Sequence, residues 1–358
     1  MIYSNFWSKS KAAIDTNNKI LVIAANHTGN NIFCTPAIKL LKKHLPSYQI
    51  DVVSLNKLST EVFYGNPSIN EIFISKSSRF INKLAMNYSK VICLHREVLR
   101  MLPGLNTSFL VAPDYVDGTH RAEQMLQFVA RLTNHDIVEE DRAYVITSDA
   151  AQHCVLDNFE IKPADILVCM HLGCGRTKTH GWNFFKKSAR THKKLLPIKT
   201  YVELANALIS INPNIRIVIT GTKNEQFLGE AFNKSVPRTI NLIAKTSISQ
   251  LYQLMSTFKL YISQDCGILH VASASNVPIL GLFGPTNPAN TGPFPLKNNH
   301  IIIKKAAMDD INLNQILSAA LNLLSTSKQT TYNDGYHNYK YQTKMNSYIL
   351  AQLTTASA

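Results

Sequence analysis

Asp265-Cys266-Gly267, with His270 three residues on, brings together side chains and backbone that can hold a phosphate. The apolar run LYIS (260–263) delivers the chain to them, and residues 268–275 have the apolar and small-residue spacing of a helix packed on a sheet. A helix that starts at the carboxyl end of a strand turns free N–H groups and the positive end of its dipole outward, where an anion binds. Asp265 is placed to cap that helix. Gly267 lets a ligand approach the backbone, and His270 can donate a hydrogen bond to a phosphate oxygen. Pro278 closes the helical stretch, and VPILGLF (277–283) reads as a buried parallel strand opening onto Gly284-Pro285-Thr286. Two such loops side by side suit a nucleoside diphosphate.

Other residues could complete such a site. Glu225, in GTKNEQ just after the strand-like RIVIT, can accept both hydroxyls of a ribose, or can be an ordinary acid in a helix's first turn, where the dipole favours it. Residues 176–194 carry Arg176, Lys178, Lys186, Lys187, Arg190, Lys193 and Lys194 with no acid, which is a solvated face or a phosphate-facing run. His27 lies in the turn Asn26-His27-Thr28-Gly29-Asn30. An imidazole there suits a general base, or hydrogen-bonds locally. There is no D-x-D run and no metal-ligand spacing, so neither metal nor other cofactor is expected. The Walker A pattern and a G-x-G-x-x-G after the first strand are also missing, which disfavours P-loop and dinucleotide enzymes.

The elements that must position these residues alternate in type. KILVIAA (19–25) reads as a strand, followed by a helix to about Leu45 and a strand at 49–54. Further strands are expected at 71–74 and 91–94, with helices near 79–88 and 119–133. The pattern resumes with strands at 166–172 and 216–221 and helices at 198–211, 224–233, 247–256 and 312–325. Two successive sets of this kind predict two doubly wound α/β domains, 1–155 and 156–327, facing across a cleft. Residues 328–358, with five tyrosines, form a separate Tyr-rich tail, either partly ordered or an aromatic strap over the acceptor side.

At 358 residues with 45% apolar content, the chain can bury two ordinary cores. Thirty-seven Lys and Arg against 23 Asp and Glu leave a formal charge of +14, which calls for an anionic partner. Nucleic-acid recognition motifs are missing, so a phosphorylated substrate or glycan is the better reading, and contact with an anionic membrane surface fits too. Six cysteines without a C-x-x-C pair fit reduced thiols in a cytoplasmic protein. Neither a signal peptide nor a run of about eighteen apolar residues is expected.

D-C-G-I-L-H-V-A, V-P-I-L-G-L-F-G-P-T-N-P and T-G-P-F together resemble the donor-binding signature of glycosyltransferase family 9, the ADP-heptose:lipopolysaccharide heptosyltransferases, which have the two-domain GT-B fold. The resemblance implies an inverting, metal-independent transfer of heptose from ADP-heptose to a lipopolysaccharide core acceptor, at the inner face of the inner membrane. A different nucleotide sugar or glycan in the same family is the alternative. On this resemblance the donor lies against Lys194, Glu225, Asp265, Cys266, Gly267 and His270. Lys194 and Pro197 match the family's Lys and the Pro of its Trp-Pro pair, and Lys194 is assigned the donor pyrophosphate. Cys266 stands where the family has Ser or Thr. His95 and Arg96 match a polar position near the acceptor, where Arg96 can grip a phosphate or carboxylate at two points. The family's proposed base, an Asp in the first turn, is Asn30 here, and an amide takes no proton at physiological pH. His27, His95 or Glu97 is then the base, or the acceptor needs little help, or the protein binds nucleotide with little turnover.

Overall fold

The computed structural model describes residues 18–106, 108–148, 155–175, 177 and 193–326. The expected Tyr-rich tail lies outside them, as do Arg176, Lys178, Lys186, Lys187 and Arg190 of the basic run.

The chain forms two units, each built on a parallel sheet. The first sheet has the order β3-β2-β1-β4-β5, with β1 Lys19–Ile23, β2 Gln49–Ser54, β3 Glu71–Ile74, β4 Lys90–Cys93 and β5 Leu110–Val111. Its helices are α1 Thr28–His44, the short α2 Lys57–Thr60, α3 Ser78–Ala85, α4 Glu97–Met101 and α5 Arg121–Thr133. β1 is buried from Ile20 to Ile23 and pairs with both β2 and β4, so its continuous apolar run is that of a central parallel strand. α1 runs through Pro36, which cannot donate to the Ile32 carbonyl. The neighbouring Thr35 hydroxyl donates to it at 2.8 Å instead, so the helix continues without an orphaned acceptor.

The second sheet has the order β11-β10-β9-β6-β7-β8: β6 Ile166–His171, β7 Ile215–Thr220, β8 Ile240–Asn241, β9 Leu260–Gln264, β10 Ile279–Phe283 and β11 His300–Lys304. The helices of this half of the chain are α6 Ile198–Ile211, α7 Gln226–Ser235, α8 Ile248–Met255, α9 Gly267–Ser273, α10 Pro288–Thr291 and α11 Leu313–Thr326. α6 and α11 share one core with β6, β7, β9 and β10, with Tyr201, Leu204, Leu208, Ile316 and Ala320 fully buried in it. Each sheet reverses its strand order once, at β1/β4 and at β6/β9. Such switch points open a crevice beyond the carboxyl ends of the strands, where open α/β sheets bind ligands.

The expected strands and helices fall within a few residues of these bounds. β5, β8, β11, α2, α4 and α10 were not expected. Two segments of the second half, Ser247–Tyr252 and Ala289–Pro295, group with the first unit. Ala289–Pro295 is fastened there by Asn290, whose Oδ1 accepts from the Gly118 amide at 2.8 Å, and by Phe294, stacked on His120 with centroids 4.5 Å apart. The T-G-P-F stretch, expected with the donor loops, is therefore part of the first unit. The last helix, α11, packs in the second unit's core.

Candidate active site

In the first unit the turn after β1 carries His27 and Asn30, and the loop after β4 carries His95 and Arg96. Asn31 fixes this turn. It is fully buried; its Oδ1 accepts from the Ala25 amide at 2.8 Å, and its Nδ2 donates to Ser54 Oγ, Ser59 O and Ser59 Oγ. All four bonds are made inside the protein, so the turn is tied to the end of β2 without help from solvent. Asn30, the next residue back, then reaches across the switch point: its Nδ2 lies 2.8 Å from His95 Nε2. Because the amide nitrogen can only donate, Nε2 accepts and the ring proton sits on Nδ1. His95 is buried. Burial first, with the Arg121 and His27 charges beside it, pushes its pKa down to about 4 against the pull of Glu97, 3.9 Å away. The Asn30–His95 pair is thus neutral at physiological pH.

His27 is the N-cap residue of α1 and is exposed, and its side chain makes no cap bond. Of the three base candidates His95 is buried, while His27 and Glu97 are both exposed. Arg96 is half-exposed and lies 3.3 Å from Asp114. Tyr115 and Arg121, which the sequence did not single out, complete this end of the sheet. The guanidinium lies 4.7 Å from the Tyr115 ring centre, and that ring meets His95 edge-on at 5.4 Å.

The second unit repeats the design. Gln264, the buried last residue of β9, donates through Nε2 to the carbonyls of Leu172 and Gly173 at 3.0 and 2.7 Å. Its Oε1 accepts from the Leu196 amide and the Tyr201 hydroxyl. One amide side chain thereby ties the ends of β9 and β6 to the segment that carries Lys194. Lys194 Nζ meets Asp265 Oδ2 at 2.5 Å. Asp265 was expected to cap the helix that follows. The helix starts one residue later than that, so its N-cap is Cys266, with no side-chain cap bond, and the Asp265 carboxylate meets the ammonium instead. Gly267 opens α9, a helix of seven residues, and His270 is buried within it.

Glu225 does what an acid in a first turn does. Its Oε2 accepts from the Thr222 amide at 2.6 Å and the Thr222 hydroxyl at 3.1 Å, closing a capping box. Its carboxylate also lies against Gly173, where a Cβ would fall 1.8 Å from Oε1. Only glycine permits that approach. Beneath these residues His171 is fully enclosed, with Nδ1 3.1 Å from Thr220 Oγ1. Burial works to lower its pKa, but the neighbouring Cys266 sulfur and the Glu225 carboxylate outweigh it and hold it up at about 9. Among the described residues no group of three His, Cys, Asp or Glu side chains is placed to hold a metal ion.

The sequence profile of glycosyltransferase family 9 (heptosyltransferase) matches residues 123–319. The chain belongs to glycosyltransferase family 9. The matched span contains every donor-side residue named above and begins after His27, Asn30, His95 and Arg96. Lipooligosaccharide heptosyltransferase 2 of Haemophilus influenzae is 29% identical over 105 residues, 28% of this chain and 30% of that protein. Lipopolysaccharide heptosyltransferase 2 of Salmonella typhimurium is 31% identical over 109 residues, 29% and 31% of the two chains. The similarity therefore spans about a third of the length of these curated relatives. The family 9 fold extends much further. A glycosyltransferase family 9 structure from Veillonella parvula superposes with a TM-score of 0.70 at 19% identity, covering 86% of this chain and 97% of that one. The E. coli ADP-heptose lipopolysaccharide heptosyltransferase II gives 0.66 at 18% identity, over 87% and 99%. The family 9 chain thus has the fold of two Rossmann-like domains that these glycosyltransferases share.

Asn31, Gln264 and His171 were missed in the sequence. Each is a polar residue inside or beside an apolar run, and its value comes from partners far along the chain, which spacing does not reveal.

Proposed function

We propose that this protein is an inverting glycosyltransferase that moves a heptose from ADP-heptose to a lipopolysaccharide core acceptor without a metal. The observation that carries the reading is the family 9 match across the whole donor-side constellation, with Lys194, Glu225, Asp265 and Cys266 gathered at the β6/β9 switch point. Support for the substrates comes from the relatives, which are named as heptosyltransferases of lipooligosaccharide and lipopolysaccharide. One solved neighbour, E. coli heptosyltransferase WaaC at a TM-score of 0.62, was determined with ADP.

The donor lies on the second unit, its ribose toward Glu225 and its diphosphate toward Lys194. The Lys194 ammonium turns from Asp265 to the phosphates and neutralises the charge that grows on the leaving ADP as the C1–O bond breaks. The acceptor oxygen attacks the opposite face of C1 and loses its proton to His27. Asn30, held by His95, cannot take that proton but can hydrogen-bond the acceptor hydroxyl and orient it. Arg96 meets an anionic group of the acceptor.

The test is calorimetric titration with ADP, UDP, GDP and ADP-heptose, followed by transfer to truncated lipopolysaccharide. Adenine selectivity with transfer supports the reading, whereas preference for another base moves it to a different nucleotide sugar. A second reading, a nucleotide-binding homologue with little catalysis, is favoured by the neutral Asn30–His95 pair, and donor binding with no transfer would support it.

A further inference from the structure

The carboxyl ends of the second sheet's central strands form one buried polar row. His171 ends β6 and stands in register with Thr220, the last residue of β7, and with Ser263 of β9. All three are buried. Beyond the row lie the two loops of the candidate donor site. The Glu225 carboxylate rests on the chain just past β6 and β7: a Cβ on Gly173 would fall 1.8 Å from its Oε1, and one on Gly221 3.0 Å from its Oε2. Cys266, just past β9, turns its thiol back toward Ser263 Oγ at 4.0 Å. The His171 ring joins these two sides. Its Nδ1 lies 3.1 Å from Thr220 Oγ1, and the ring makes a second hydrogen bond with the Cys266 sulfur. Its backbone is fixed as well, because the Tyr201 hydroxyl donates to the His171 carbonyl at 3.3 Å.

We propose that His171 is a positioning residue of the donor site: a buried imidazolium that ties the Glu225 loop to the Cys266 turn and supplies a fixed positive charge beneath the donor's diphosphate. The inference rests on the donor reading given above and adds a second cation to Lys194, with a different task. The Lys194 ammonium must leave Asp265 to meet a phosphate, whereas His171 stays enclosed and acts through Glu225, Cys266 and its own field. The groups facing the ring are Glu225 from the turn before α7, Cys266 from the start of α9 and Tyr201 from α6, with the Lys194–Asp265 pair next along the chain from Cys266. Burial alone would strip the proton from such a ring. The carboxylate and the sulfur outweigh it, and the proton is kept up to about 9. A charge so deeply placed is little screened by water, so a diphosphate binds the protonated form more tightly than the neutral one. Affinity for the donor therefore falls as pH rises through this titration and levels off once the ring is neutral. By the reciprocity of linkage, bound ADP raises the midpoint of the ring's own titration by the same factor.

The test is calorimetric titration of the full chain with ADP at intervals from neutral pH upward, paired with NMR of carbon-13-labelled histidine rings with and without ADP. The parent should lose affinity roughly tenfold above pH about 9 and then level off. One imidazole should titrate near 9 in the free protein and about one pH unit higher with ADP bound, the shift that a tenfold coupling requires. His171→Gln can keep hydrogen bonds to Thr220 and Cys266 but carries no charge. It should bind ADP roughly tenfold more weakly at neutral pH and show no step. Cys266→Ser should keep the step and move it to lower pH, because one of the groups that hold the proton on the ring is gone. A parent that binds ADP with no step, or a step that survives in His171→Gln, would overturn the proposal. So would a step that Cys266→Ser abolishes, which would assign the titration to the thiol. Should His171→Gln not fold, the parent's rings decide: no imidazole titrating near 9, or one that ADP leaves in place, overturns it. A parent that binds no ADP at neutral pH would fail the donor reading itself, and this inference with it.

Discussion

At the residue scale, the chemistry turns on a carboxylate position held by an amide. Asn30 donates to a neutral, buried His95, so neither member of that pair is placed to take a proton, and the proposed reading gives the task to exposed His27. His27→Ala should lower kcat by about 10²–10⁴, the usual cost of losing a general base, with the donor's Kd unchanged. Asn30→Ala should cost far less. Steady-state kinetics decide it: a large loss in Asn30→Ala with His27→Ala near normal would remove His27 from the role. Lys194→Ala should weaken ADP binding about ten- to a hundredfold, the range for a charge-assisted contact of about 1.5–3 kcal/mol, and unchanged affinity by calorimetry would put the phosphates elsewhere. The residue-level reading of the sequence went astray at Asp265 for a definite reason. An acid just before a helix looks like its cap, but the helix starts one residue later, at Gly267, and Lys194, 71 positions earlier, is folded against the carboxylate.

At the element scale, two buried amides do the same work in the two units. Asn31 and Gln264 each make four side-chain hydrogen bonds beyond the carboxyl ends of a sheet's central strands, and each fixes the loop that presents the candidate residues. Gln264→Leu keeps similar bulk but takes the side-chain partner from the Leu196 N–H and from the Leu172 and Gly173 carbonyls inside the protein. It should cost about 2–4 kcal/mol of stability, read as a lower denaturant midpoint at unchanged slope, and an unchanged midpoint would contradict the assignment. Gly173→Ala should displace the Glu225 carboxylate and weaken adenosine binding, since no side chain fits 1.8 Å from Oε1. The long central strands and their helices were legible because a buried parallel strand is a continuous apolar run. β5 and β8 are two-residue edge pairings and α4 is a five-residue helix, too short to leave a period in the sequence. β11 is longer, but its IIIKK run is only partly buried and ends in charge, so it did not look like a sheet strand.

At the scale of the whole molecule, buried histidines set the response to pH in opposite directions. His95, His120 and His300 are each held at about 4, by burial first. An unfolded chain binds those protons near pH 6.5, so between about 6.5 and about 4 it holds more protons than the folded one, and stability falls as pH falls. His171, held up at about 9, contributes stability that is full below about 6.5 and is lost as pH rises through about 9. The thermal midpoint should therefore peak near neutrality and drop on both sides, and a midpoint that stays level from neutral pH down toward 4 would contradict the acid arm.

The central claim is that a family 9 chain with Asn30 in its first turn still transfers a sugar. The most direct measurement is release of ADP from ADP-heptose in the presence and absence of truncated lipopolysaccharide, with the glycan product identified by mass spectrometry. The account predicts acceptor-dependent ADP release and a product heavier by one heptose. Tight ADP-heptose binding with no product from any lipopolysaccharide core acceptor would contradict it.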